Sequence, residues 1–377
     1  MSEEKDLKLD ADTILPYGEK LRPLIASSFL TKGDLKKLLA MRGVFVSNNN
    51  KEITIPILTT CLLSPQEFEY LRNRQRTKED TIKRVTRKID WDSDLNLFDA
   101  MKKNIIPFHE LISERFCNYR ILDTRNRFLA IENNKDELKL EYKIDRNDPT
   151  KDWATSNSRH IGKIFLKKIN SGNELEISIE YTALETKELN EKIVKHVTKA
   201  LKENKCIGME RKFKKITFGD FTNKERVKFL LSLHNDDPYD IFKFEEITNI
   251  EISIDTSKNL PDNIKWMEKK VRNMILKGEQ LHDTDILKEP EYHEALIVSG
   301  VEAKYKFESV ASKGFCTIEY GFPAFRKGTP DNNSEFEFKI ISLKVESEKP
   351  RKKVERFLLA KFDNFKSKMY DSFKGNL

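Results

Sequence analysis

Residues 160–181 constrain the fold most. Two runs there alternate apolar and polar side chains with a period of two. Ile164 and Leu166 mark the first run, and Leu175, Ile177 and Ile179 the second. Between them stands Asn170-Ser171-Gly172-Asn173, a string of turn-forming residues. Successive side chains on a strand point to opposite faces, so the pattern predicts an antiparallel hairpin with one apolar face. From Thr186 the period becomes helical. Leu189, Ile193, Val197, Ala200 and Leu201 fall on one side, with Lys, Glu and Asn on the other. A sheet with one apolar face must bury it, and the following helix carries a matching stripe.

The rest of the chain repeats this style. Further strands are expected at 126–132, 137–144, 213–218, 241–254, 295–308, 313–321 and 335–346, and helices at 222–234 and 263–275. A last helix, about 350–373, is striped by Val354, Leu358, Phe362, Phe365, Met369 and Phe373. Strand 335–346 leads directly into it, so it should pack on its own sheet. The expected fold class is α+β: a helical N-terminal module, then a mixed or antiparallel sheet body with long amphipathic helices. Three domains are expected, at 1–90 (with 1–16 a flexible lead), 91–210 and 211–377.

Hydrophobic residues make 38% of the 377, enough for cores and too many for a disordered chain. No apolar run approaches the roughly 20 residues of a membrane span, and the N-terminus MSEEKDLKLDADT has no signal-peptide core. A cytoplasmic location with no membrane partner is therefore expected. Four widely spaced cysteines, Cys61, Cys117, Cys206 and Cys316, form no zinc-binding pattern and should be buried free thiols. Abundant Lys, Asn and Ile fit an AT-rich bacterial genome.

The formal charge is +7, and its placement matters more than its size. Residues 72–88 hold Arg72, Arg74, Arg76, Lys78, Lys83, Arg84, Arg87 and Lys88 against Glu79 and Asp80; eight minus two is +6. Ile82, Val85 and Ile89 lie at helical spacing, which predicts a helix with a cationic face.

Upstream, Thr31 reads as an N-cap with Asp34 three residues on, Leu35, Leu38 and Leu39 as a buried stripe, and Arg42-Gly43 as a helix end. A turn at Ser47-Asn48-Asn49-Asn50 leads to a second short helix through Ile53, Ile57 and Leu58, disturbed by Pro56. Ser64-Pro65 opens a third. Over residues 30–60 the run Thr31-x3-Leu35-Lys36-Lys37-Leu38-Leu39-x2-Arg42-Gly43, followed by Lys51, resembles the SAP/HeH type of helix–extended loop–helix DNA-binding module. The resemblance implies phosphate contacts from Lys32, Lys36, Lys37, Arg42 and Lys51. Asn50 stands where that family usually has Gly, and Pro56 is a further departure. Arg72, Arg74, Arg76, Lys83, Arg84, Arg87 and Lys88 would extend the cationic surface, because each neutralised phosphate releases counterions.

A PD-(D/E)xK-like nuclease would need carboxylates to hold Mg²⁺ and a lysine to polarise the attacked group. Glu302-Ala303-Lys304 with Asp283 and Asp285 upstream matches loosely, as does Glu141-Tyr142-Lys143 with Asp136. In a chain that is 35% charged such triplets arise by chance. Asp285, Glu302 and Lys304 are thus secondary catalytic candidates, and Mg²⁺ enters only with them; otherwise no cofactor is expected. No GxxxxGK[ST], GxGxxG, GxSxG or HExxH string occurs. The function expected is a DNA- or RNA-binding subunit of a bacterial multi-protein system such as phage defence. A divergent nuclease and a protein scaffold docking through its last helix are the alternatives.

Overall fold

The computed structural model describes residues 15–375, apart from 27–29, 80, 113–116, 123–124, 148–156, 236, 263, 268–270, 272, 310–311, 324–330 and 347–349. Nearly all of the expected lead, residues 1–14, lies outside this set. Four helices come first: α1 (Arg22–Ala26), α2 (Lys32–Met41), α3 (Lys51–Thr59) and α4 (Pro65–Glu79). Next come β1 (Lys83–Asp90), the short helices α5 (Leu97–Met101) and α6 (Phe108–Leu111), β2 (Tyr119–Ile121), β3 (Leu129–Ile131), β4 (Asn134–Asn147), β5 (Asn157–Ile169), β6 (Glu174–Tyr181) and α7 (Leu184–Glu203). The second half holds α8 (Asn223–Ser232), β7 (Phe242–Ile254), β8 (Asn273–Lys277), α9 (Asp285–Lys288), α10 (Pro290–Ala295), β9 (Leu296–Ser309), β10 (Ser312–Gly321), β11 (Glu337–Val345) and α11 (Arg351–Gly375). The protein is α+β.

All the described strands join one 11-stranded antiparallel sheet in the order β2-β4-β5-β6-β1-β11-β10-β9-β7-β8, with β3 paired to β4. The hairpin expected at 170–173 joins β5 to β6 through a turn in which Asn170, Ser171 and Gly172 all have positive φ. The helix after it starts at Leu184, not Thr186. The Thr186 hydroxyl instead accepts the Ala183 N–H, satisfying a donor at the helix start. Gly162 faces Tyr142 across β4 and β5; a Cβ there would lie 2.3 Å from the Tyr142 ring, so only glycine fits.

Two amphipathic helices cover opposite faces of this sheet. On one, α7 packs Leu189, Ile193, Val197 and Leu201 against Val85 and Ile89 of β1 and the inward residues of β4, β5 and β6. On the other, α11 buries Val354, Leu358, Phe362 and Phe365 against β7, β9, β10 and β11, as expected for a helix covering its own sheet. A third apolar cluster holds the N-terminal helices together through Leu21, Leu35, Leu38, Leu58 and Leu71.

Three local expectations are corrected. Residues 83–90, expected as helix within the basic module, form a strand at the middle of the sheet. Val85, Arg87 and Ile89 alternate inward at period two, and pairing with β6 along the whole strand outweighs the helical spacing of Ile82, Val85 and Ile89. The helix expected at 263–275 gives way to a 3-10 turn at Lys265–Met267 and to strand β8, which adds to the edge of β7. Residues 213–218 contribute only single bridges, Lys88 to Lys214 and Thr217 to Glu335. Of the cysteines, Cys206 and Cys316 are buried, whereas Cys61 is half-buried and Cys117 exposed.

His234 sits beneath this second core. Its Nε2 lies 2.6 Å from the Tyr320 hydroxyl, and its ring stacks on Phe244. Burial, reinforced by nearby His282, pushes its pKa down to about 3. The folded protein therefore holds this imidazole neutral. As pH falls through about 6.5, the unfolded chain takes up a proton that the folded one refuses until about pH 3. Stability should drop across that window by up to about 1.4 kcal/mol per pH unit. Thermal melts between pH 7 and pH 4 should show a shallower acid slope for His234→Gln than for the wild type. Identical slopes would remove His234 as the cause.

Candidate nucleic-acid interface

The N-terminal hairpin is built as its sequence dictates. The Thr31 hydroxyl accepts the Asp34 N–H while the Asp34 carboxylate accepts the Thr31 N–H, so α2 opens with a reciprocal capping box. Gly43, at φ +73°, ends the helix in the left-handed conformation that glycine adopts without strain. An extended loop follows, with Val44 and Val46 packed on the helices and Phe45 83% exposed. Pro56 lies on the exposed side of α3 without breaking it. At α4 the Ser64 hydroxyl and the Glu67 carboxylate cap each other's backbone N–H groups.

The basic residues of this region divide into exposed cations and cations tied to carboxylates or backbone carbonyls. Lys32, Lys36 and Lys37 lie together on exposed positions of α2. The Lys32 ammonium donates to the Asn50 side chain at 2.6 Å, and that of Lys37 lies 5.8 Å above the Tyr70 ring. Arg42 instead donates to the Leu62 carbonyl at 2.6 Å and pairs with Glu67 at 3.5 Å, tying the loop to α4. Lys51 donates to the Ala26 carbonyl. Arg74 pairs with Asp34 at 3.2 Å and lies over Tyr70; Arg72 is buried. Arg76 is on α4, but its side chain lies outside the described residues.

The remaining cations belong to the sheet. The Arg84 guanidinium is buried between Asp363 of α11 (2.9 Å) and Glu180 of β6 (3.0 Å). Asp363 also accepts from Thr86 (2.6 Å), Ser178 (3.3 Å) and Lys366 (2.6 Å). Burial opposes ionisation of Asp363, but Lys366 and Arg84 outweigh it and hold the carboxyl well below its ordinary value. On the opposite face Arg87 grips Glu335 and Glu191, clamping β1 to α7 and to the residue pair ahead of β11. Lys83 lies 5.7 Å from the Tyr181 ring, and Lys88 reaches Asp371 at 3.4 Å. Cations that look like one surface in sequence thus divide: Arg72 and Arg74 lie on α4, while Lys83, Arg84, Arg87 and Lys88 lie on both faces of a strand.

Beside Arg84 a cavity of about 310 Å³ opens between the sheet and α11, lined among others by Lys163, Phe165, Glu176, Glu180 and Arg356. Burial lowers the Lys163 pKa although Glu141 lies 3.5 Å away, and burial raises that of Glu176.

The nuclease candidates are not gathered into a catalytic cluster. Glu302 and Lys304 share one face of β9, but Glu302 accepts from Asn249 at 2.8 Å and Lys304 is held by Glu245 (3.4 Å) and Glu246 (3.3 Å). Asp285 opens α9, and Asp283 pairs with Lys288 at 2.9 Å. In the second match Glu141 pairs with Lys139, and Asp136 accepts the Leu97 N–H. Among the described residues no three His, Cys, Asp or Glu side chains come together as a metal site. Nor, among them, is any helix long and apolar enough to cross a membrane.

A family model described as GAPS4b protein N-terminal domain matches residues 19–81, which span α1 to α4 and stop short of β1. No curated protein matches the chain.

Proposed function

Starting from the likeness of residues 19–81 to a GAPS4b N-terminal domain, we propose that this chain is the nucleic-acid-binding subunit of a bacterial multi-protein defence system. The N-terminal hairpin grips duplex DNA in the manner of a SAP-like module. The observation that carries this reading is the group Lys32, Lys36 and Lys37: exposed on α2, the helix whose leucines are buried, and beside an extended loop. Positive charges on a rigid, capped helix can neutralise successive phosphates without reorganising. The name of the matched domain, which points to a defence-system protein, supports the setting and the presence of partner subunits.

A gel shift with purified protein, run with and without Mg²⁺, separates this reading from its rivals. Retardation without cleavage is expected. Cleavage in Mg²⁺ would favour the nuclease, and neither retardation nor cleavage would favour a protein scaffold. Lys36→Ala/Lys37→Ala should weaken the shift at unchanged melting temperature.

A further inference from the structure

The half of the sheet buried by α11 has an opposite face, and there the strands align one uncompensated row of charge. Register places Lys243 of β7 opposite Lys306 of β9, Lys306 opposite Phe315 of β10, and Phe315 opposite Lys344 of β11. Each neighbouring inward residue (Phe242, Tyr305, Phe307, Cys316, Leu343) is in the core, so the four point away from it. The three lysines are exposed and have no ion pair with a described residue, and Phe315 is half-buried. The adjacent rows are balanced: Glu308 faces Lys313 on one side, and Glu245 and Glu246 hold Lys304 on the other. Further along, Lys339 pairs with Glu319 at 2.7 Å beside Glu302. Among the described residues of these rows, 243–306–315–344 is left with three cations and an aromatic ring. At about 4.8 Å per strand it runs about 14 Å. Among the described residues no strand pairs beyond Lys243 or Lys344 at that level.

We infer that this row is a second binding site, for single-stranded nucleic acid. Cations at strand spacing follow a flexible phosphate chain, and a ring among them offers a platform on which an unpaired base can stack. A duplex keeps its bases in the helix stack and cannot use Phe315, so the two sites divide single-stranded from double-stranded ligand. The inference does not depend on the hairpin binding DNA.

Fluorescence anisotropy with a labelled oligothymidine of about 12 nucleotides tests it on the full chain. Lys243→Ala/Lys306→Ala/Lys344→Ala should reduce the slope of log affinity against log salt by about 2, at about 0.7 per contact. Phe315→Leu should weaken binding about tenfold or more with little change in slope. Both variants should keep the wild-type melting temperature and duplex affinity. Oligothymidine binding that survives both changes overturns the site, as does a slope that only changes at Lys32, Lys36 and Lys37 can flatten.

Discussion

Phe362→Ala is expected to cost about 3–5 kcal/mol and to lower the melting temperature by several degrees. Phe362 is fully buried on α11, in contact with the rings of Phe242, Tyr305, Tyr320, Phe338 and Phe365. Those rings come from β7, β9, β10, β11 and α11 itself, so the cavity left by truncation would be walled by elements that cannot all close on it. Melts of the purified variant measure this. An unchanged melting temperature would mean that α11 is detachable, and would return it to the role of a docking helix.

Asp363→Ala, one residue on, should be comparably costly, about 3–5 kcal/mol. The mechanism differs. Removing this carboxylate leaves the Lys366 ammonium, only 2% exposed, without its counter-charge and takes one of the two carboxylates from the buried Arg84 guanidinium, which keeps Glu180. A buried uncompensated charge costs more than the pair contributes, because desolvation is no longer offset. Replacing Arg84 instead would leave Asp363 and Glu180 facing each other with one cation fewer. Arg84→Ala should therefore lower stability. If it flattened a salt slope while leaving the melting temperature untouched, Arg84 would belong to a binding face after all.

Arg84 also marks the limit of what the chain discloses before folding. Where side-chain type and burial agree, the sequence is transparent. The period-two runs around Asn170–Asn173 became β5 and β6, the Phe-rich stripe at the C-terminus became the buried face of α11, and Thr31 with Asp34 became a capping box. Between Lys83 and Lys88 type and burial disagree. A strand that places arginines inward must find carboxylates, and these come from Glu180, Glu191, Glu335 and Asp363, up to 279 residues away. No local pattern announces partners at that range, so a core strand reads as a cationic helix. Residues 263–275 mislead for a related reason, since β8 exists only because β7 offers it an edge.

The hairpin shows the same division. Its caps, stripe and glycine end were legible. That Arg42 would bind the Leu62 carbonyl and leave Lys32, Lys36 and Lys37 as the exposed cations was not, because it depends on how α4 folds back. The lysine row on the open sheet face is equally invisible in sequence. Its members are spread from 243 to 344 and meet only through strand register.

The salt dependence of duplex DNA binding tests the central claim most directly. With the wild-type chain, log affinity should fall linearly with log salt by about 0.9 per phosphate contacted. For Lys32→Ala/Lys36→Ala/Lys37→Ala, a flattening approaching three contacts at an unchanged melting temperature is the predicted result. An equally steep line with undiminished affinity would contradict it.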